Sequence, residues 1–414
     1  MLYPGLVVED SYFFSRMLNN HNIKQIGFTY SGYRSIIPNS IIYLSLFAPF
    51  LPLSPYIMII FCFLNSIAAY SIFALRRFRY FIDNDNIRYL ICLTITLVPF
   101  GDYILQTNTV YSIWNSLFIL ILLISVPVSS SKLVTIFQTI ISLLMIASHG
   151  MSFIIIPFCA YFLFTRPKLL DKIYNGILLL GVLSYIITSV HPIKSQMNLS
   201  PKSFIFSLQL LFERVFFEGF FGNILRIDLV KHYPYIPISI GIIIGLTLTG
   251  LIYRWRGYLP KPIVEQFIVI GFLIIGLTII PTITRNLISQ KELIMLEPWS
   301  SNRYFYIQHM LFIILILELF YFRLMKSSFT TQNHSNHTVI VKITISICVF
   351  WIIFLNINHQ KIFFGTPIYN GREVIYFLSS LDKHMHNPEK APQPIKLERG
   401  VWSIVYTGYS ALPN

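Results

Sequence analysis

The chain alternates long apolar stretches with short polar segments. A helix needs ~20 apolar residues to cross ~30 Å of hydrocarbon. Ten stretches approach that length: 55–75, 88–100, 110–128, 133–148, 151–164, 174–190, 236–253, 264–283, 304–322 and 339–355. The pair 133–164 is one apolar run broken only by Ser148-His149-Gly150. As a single helix its ~32 residues would reach ~48 Å at about 1.5 Å per residue, too long to cross without severe tilt. The spacing therefore predicts a tight helical hairpin turning at 148–150. Segment 36–53 is also apolar but holds Pro38, Asn39 and Pro52, which predicts a helix lying at the interface or re-entering it.

Charge orients these segments. With residues 1–35 placed outside, the inside loops 76–88, 129–132, 165–173, 254–262 and 323–338 hold 13 Lys and Arg in 51 residues. The outside loops 101–109, 149–150, 191–235 and 284–303 hold 8 in 76. The asymmetry runs in the direction of the positive-inside rule. Reading 133–164 as one span would move the basic cluster Arg254-Trp255-Arg256 to the outside, which again favours the hairpin.

Two stretches break the pattern. The outer loop 191–235 contains FIFSLQLLFERVFFEGFFGNILR, apolar enough for a span but carrying Glu213, Arg214 and Glu218 at its middle. Each charge would cost about 2.5–3.5 kcal/mol at a bilayer centre, so an amphipathic helix on the outer surface is expected. The tail 356–414 is more polar, with NPEKAPQP and β-prone ends such as VWSIVY. The expected organisation is an outer loop with an interfacial helix (1–54), a multi-span transmembrane domain (55–355) and a small outer C-terminal appendage (356–414). The fold class is all-α polytopic, with about ten transmembrane helices. No internal repeat is visible, which counts against an inverted-repeat transporter.

Composition agrees. Hydrophobic residues are 55% of the 414 and charged residues 12%, against about 25% charged in an average soluble domain; the mean hydropathy is +0.65. This excludes a disordered chain and a water-exposed globular surface. The net charge of +14 reads as cytoplasmic loop charge facing anionic headgroups; no nucleic-acid partner is expected. Cys62, Cys92, Cys159 and Cys348 all lie in apolar runs without a CxxC pair, so neither disulfides nor zinc ligation is expected. The opening MLYPGLVVEDSYFF lacks the basic leader and apolar core of a secretory signal.

Candidate chemistry gathers on the outer side of this arrangement. Glu9 and Asp10 lie in the first outer segment, Asp102 in the next outer turn, His149 at the hairpin tip, and Arg285 and Arg303 flank the loop 284–303. A carboxylate can take a proton from an acceptor hydroxyl or hold a divalent cation, and an arginine can hold two phosphate oxygens. The plainer readings are solvated loop charge, a helix cap for Asp102, a turn residue for His149 and a headgroup anchor for Arg303. Glu318, the one acid well inside a predicted span, is expected to pair with Arg323. No GxGxxG, Walker, HExxH or GxSxG motif is present, which excludes the dinucleotide, ATPase, zinc-protease and serine-hydrolase classes those motifs mark.

The order of features resembles the GT-C superfamily of membrane glycosyltransferases, which use sugars carried on polyprenyl phosphate. EDSYFFSRMLNN is similar to the family's acidic first outer loop. YRSIIPNSIIYLSLF is similar to its proline-bearing juxtamembrane helix, and PYIMIIFCFLNSIAAYSIFALRRF to its span ending in basic residues. VPFGDYILQTNTVYSIWNSLF, ASHGMSFIIIPFCAYFLF and SSNRYFYIQHMLFI resemble the next outer turn, the short hairpin and the late RYFY segment of uncharacterised bacterial members. The likeness covers about residues 5–325. The family places one span before the acidic loop, and this sequence opens already near that loop; the expectation is that the true start lies upstream, that the chain is truncated, or that the relation is more distant.

The resemblance implies transfer of a sugar from a polyprenyl-phosphate carrier to a glycan, lipid or protein acceptor of the cell envelope, at the outer face of a bacterial inner membrane. It implies Asp10, with Glu9 as substitute, as the general base or the holder of a divalent cation (Mg or Mn). Asp102 would support the acceptor or a cation, Arg285 or Arg303 would hold the donor phosphate, and His149 would assist. The rival class is a non-catalytic protein, flippase-like or polymerase-associated, that moves or holds lipid-linked glycans. An inactive relative is a third possibility.

Overall fold

The computed structural model describes residues 9–20, 22–30, 33–97, 112–189, 198–257, 261–291, 304–330, 371–386, 395–397 and 402–404, with a few single positions between them. The protein is helical. The strands among the described residues form two short antiparallel pairs, β1–β2 (Thr29–Tyr30 with Tyr33–Arg34) and β3–β4 (Ile395–Leu397 with Trp402–Ile404). Helices occupy nine of the ten predicted stretches: α3 Ser54–Ser71, α4 Asp85–Leu97, α5 Ile113–Ser125, α6 Lys132–Ile146, α7 Ile156–Thr165, α8 Leu169–Ser189, α11 Tyr235–Trp255, α12 Lys261–Thr284 and α13 Tyr306–Thr330. The tenth, 339–355, falls almost wholly outside the described residues. Among the described residues, four helical segments, Leu51–Tyr80, Leu169–Thr188, Tyr235–Trp255 and Lys261–Thr284, are long and apolar enough to cross a membrane.

The helices are inverted relative to those of a protein in water. On α6, Leu133, Ile136, Phe137, Ile140 and Leu144 are exposed while Thr135, Gln138 and Ser142 are buried. On α3, Ile57, Ile60, Phe63, Leu64 and Ile67 are exposed while Cys62 and Ser66 are buried. An apolar outer stripe over a polar inner one suits a helix facing hydrocarbon, where polar groups can be satisfied only inside the bundle.

One end of the bundle is basic. Arg77 of the turn after α3 donates to the carbonyl of Pro127 at 2.7 Å and to Gln138. Asp171 of α8 accepts the Val128 N–H at 2.6 Å, and Arg166 donates to the Ser125 carbonyl at 2.7 Å. Arg88 donates to the carbonyls of Phe73, Ala74 and Leu75, closing the C-terminus of the first long helix as a cation should. Tyr321 of α13 reaches Asp83 at 2.9 Å, and Tyr161 of α7 reaches Glu265 of α12 at 3.1 Å. Segments 76–88, 125–138, 161–175, 261–266 and 321 therefore share one end. Both Lys132 and Thr165, the far ends of α6 and α7, return to it, so the chain does reverse at 147–151.

The opposite end carries α2 (Ile36–Ser45), whose Ile37 N–H donates to Ser148 Oγ at 2.9 Å. Against α2 packs α1 (Glu9–Asn20). Phe13, Phe14, Met17 and Leu18 of α1 share a satellite core with Ile42, Leu46, Leu51 and Met58, and with Leu378 and Leu381 of α14 (Gly371–His386). Asp382 accepts the Leu51 N–H at 3.2 Å. The expected tail was irregular or β; within its described residues it holds a 16-residue helix as well as the β3–β4 pair. That helix joins residues 9–58 in one core instead of standing apart from them.

The largest departure is the stretch expected as a surface helix. α9 runs as an α-helix over Pro201–Leu210, a π-helix over Leu211–Phe217 and a last α-turn over Glu218–Phe221; α10 follows at Asn223–His232. Ser200 caps the start by accepting from the Ser203 N–H, and Gly222 (φ 87°) turns the chain at the other end, a conformation open to glycine. Gly241 of α11 faces the backbone of Phe212, and Gly245 faces the Phe216 ring. α9 and α11 thus run side by side in the same direction, and α10 must bring the chain back between them. The pair α9–α10 enters and leaves the bundle at one end. Its charges, expected to face water, are buried: Glu213, Arg214 and Arg226 are 0% exposed and Glu218 is 8% exposed. Partners supplied from α10 are what makes this burial tolerable.

Candidate functional site

The end opposite the basic one collects most of the sequence-predicted groups. Glu9 and Asp10 open the first turn of α1; their side chains lie outside the described ones. Asp102 and Arg303 also lie outside the described residues. His149 and Arg285 are described, and they belong to the same end.

His149 sits in the turn between α6 and α7 and is 3% exposed. Its Nδ1 accepts the Met151 N–H at 2.9 Å. Its ring stands edge-on to Trp114 with centroids 4.5 Å apart, and Trp114 stands edge-on to Tyr304 at 5.9 Å. Burial, and then the positive charge of Arg285, push the imidazole down to about 3, so the ring is neutral at physiological pH.

Arg285 is half-buried just beyond α12, with its N–H on the Pro281 carbonyl at 2.9 Å. The next residue, Asn286, adopts a left-handed conformation (φ 48°), which asparagine tolerates better than most side chains. Its Oδ1 accepts from Asn198 Nδ2 at 3.1 Å, tying the end of α12 to the start of α9. The arginine is thus carried by a turn with a defined shape.

Beneath this lies a polar seam. Tyr306 of α13 donates to Asn115 Oδ1 at 2.6 Å and lies 2.9 Å from the Tyr70 hydroxyl. Asn115 donates to Ser66 at 2.9 Å, and Asn65 to the Ser112 carbonyl at 2.7 Å. The seam joins α3, α5 and α13 with paired groups, which is how polar residues hold helices together away from water.

A second cluster was not legible as such. Arg226 of α10 pairs with Glu213 at 2.9 Å and with Glu218 at 2.8 Å; Arg214 pairs with Glu218 at 3.2 Å. Arg214 also lies over the Phe305 ring at 5.0 Å and donates to the Ile294 carbonyl at 3.3 Å. His309 of α13 donates through Nε2 to the Arg214 carbonyl at 2.6 Å. Two acids and two guanidiniums balance, and the π-helix is the backbone form that recurs at functional sites. Glu318 accepts from Gln266 at 2.9 Å, while the side chain of Arg323, its expected partner, lies outside the described ones.

Among the described residues no three His, Cys, Asp or Glu side chains gather into a metal-holding group. No protein-family model, no curated protein and no solved structure matches the chain.

Proposed function

We propose that the chain is a multi-pass membrane protein of about ten spans. In this reading it is a GT-C-like glycosyltransferase acting at the outer face of a bacterial inner membrane. It moves a sugar from a polyprenyl-phosphate carrier to a glycan, lipid or protein acceptor. The acceptor hydroxyl oxygen attacks the anomeric carbon and loses its proton to Asp10, or to Glu9 in its place. The bond from that carbon to the carrier's phosphate oxygen breaks, and the phosphate leaves as an anion held by Arg285 or Arg303. Asp102 supports the acceptor and His149 assists at the phosphate. A divalent cation, Mg or Mn, would sit on Asp10 where the reaction uses one. The remaining rate enhancement is orientation and stabilisation of the leaving charge.

One observation carries this reading: α1, which opens on Glu9 and Asp10, packs on α2 and so lies at the same end of the bundle as His149 and Arg285, opposite the basic end. The test is transfer from a labelled polyprenyl-phosphate sugar to envelope acceptors by the purified chain. Asp10→Asn is expected to lower the rate by about 10²-fold or more. Full activity in the Asp10→Asn/Glu9→Gln double variant would overturn the assignment.

A second reading has its own support. A carrier that moves lipid-linked glycans without making a bond should place charged groups inside the bundle, and the Glu213–Arg214–Glu218–Arg226 cluster does so. Movement of the labelled lipid across sealed vesicles with no covalent product would favour it.

A further inference from the structure

The Nδ1 atom of His149 accepts the Met151 N–H at 2.9 Å. A ring nitrogen that accepts carries no hydrogen, so the hydrogen of the neutral ring is on Nε2. Nε2 is buried and has no hydrogen-bond partner. A buried donor without an acceptor is costly, and the turn itself does not need it, because an asparagine could accept from Met151 equally well. The ring cannot easily swing to find another partner, since Trp114 stands edge-on to it at 4.5 Å and is itself backed by Tyr304. The geometry therefore leaves the His149 Nε2–H directed and unpartnered at the site end of the bundle. Whatever meets it must accept a hydrogen bond, and the positive charge of Arg285 acting on the same ring selects an anion over a hydroxyl.

We propose that His149 is a neutral hydrogen-bond donor, through Nε2–H, to an oxyanion of a phosphate bound between the α6–α7 turn and Arg285, and does not itself transfer a proton. This rests on the proposed function in taking the phosphate to be that of a lipid carrier; free phosphate offers the same oxygen chemistry. Three probes separate the sources: a labelled polyprenyl phosphate, inorganic phosphate as competitor, and the uncharged polyprenol.

Two substitutions dissect the ring. His149→Asn keeps an acceptor for the Met151 N–H and loses the distal donor. His149→Gln places an amide N–H near the Nε2 position. Equilibrium binding of polyprenyl phosphate to the full chain in nanodiscs is expected to weaken about tenfold to a hundredfold in His149→Asn and to be largely retained in His149→Gln. Polyprenol should not compete. Competition by inorganic phosphate supports the oxyanion site with free phosphate as a ligand; its absence supports the lipid phosphate. Asparagine and glutamine variants of equal affinity, polyprenol binding as tight as the phosphate, or no phosphate binding would each overturn the proposal. If His149→Asn does not fold, Arg285→Gln serves in its place, and unchanged phosphate affinity in that variant would refute the site. The expected binding order without sugar transfer would sink the transferase reading alone; transfer indifferent to His149→Asn would sink this inference alone.

Discussion

Removing Arg226 is the sharpest test of how the buried insertion α9–α10 is held. Its guanidinium pairs with Glu213 at 2.9 Å and Glu218 at 2.8 Å, and both Arg226 and Glu213 are 0% exposed. Arg226→Met keeps much of the volume and leaves the Glu213 carboxylate without its counter-charge; Arg214 can still balance Glu218. Breaking a buried pair from one side costs about 3–5 kcal/mol. Glu213→Gln should cost less, roughly 1–3 kcal/mol, because Arg226 keeps Glu218 and only a buried hydrogen bond is weakened. In the double variant Arg226→Met/Glu213→Gln the remaining Arg214–Glu218 pair is charge-balanced. The double variant should be less damaged than the sum of the two singles by about 1–3 kcal/mol, the coupling typical of residues in one network. The assay is detergent-driven unfolding of the four proteins. Thermal unfolding read with a thiol-reactive dye gives a second ranking, since Cys62 and Cys159 are buried and react only on opening. A small Arg226→Met effect, under about 1 kcal/mol as for exposed ion pairs, or a double variant as damaged as the sum of the singles, would refute the burial argument.

Two further outcomes follow from particular residues. His149 is neutral in the fold because burial and Arg285 hold its pKa at about 3, against an ordinary value of 6.5; its contribution is fully present above pH 6.5 and is lost between there and pH 3. At pH 5 this costs about 2 kcal/mol at roughly 1.4 kcal/mol per unit. The wild type should therefore lose thermal stability relative to His149→Gln as pH falls from 7 to 5, and parallel curves would contradict it. A methyl group at Gly241 would collide with the Phe212 carbonyl oxygen, whereas Gly250 has nothing within 4 Å. Gly241→Ala should part α9 from α11 and lower stability, while Gly250→Ala should be neutral or stabilising by up to about 1 kcal/mol through helix propensity; equal effects in a thermal melt would contradict the packing.

Local pattern alone determined where the helices lie. A run such as 264–283 has no hydrocarbon-compatible conformation except one that satisfies every backbone group internally, so a helix over 261–284 follows from composition and length. The break at Ser148-His149-Gly150 was equally legible, because a continuous helix there would overshoot any bilayer. The grouping of the basic loops also followed, since charge asymmetry orients spans without knowledge of their packing.

Tertiary structure decided what each polar side chain meets. Glu213, Arg214 and Glu218, taken one at a time, belong on a surface. Arg226 and His309, 13 residues from Glu213 and 95 from the Arg214 carbonyl respectively, make the interior tolerable for them instead. Pairing energy depends on distance in space, which no window along the chain contains. The same holds for His149: its sequence neighbours mark a turn, but the Met151 N–H, the Trp114 edge and the charge of Arg285 are what set its hydrogen on Nε2 and keep the ring neutral. Apolar burial is a property of composition and period, so it can be read from a string of residues. Electrostatic satisfaction is a property of arrangement and had to be seen.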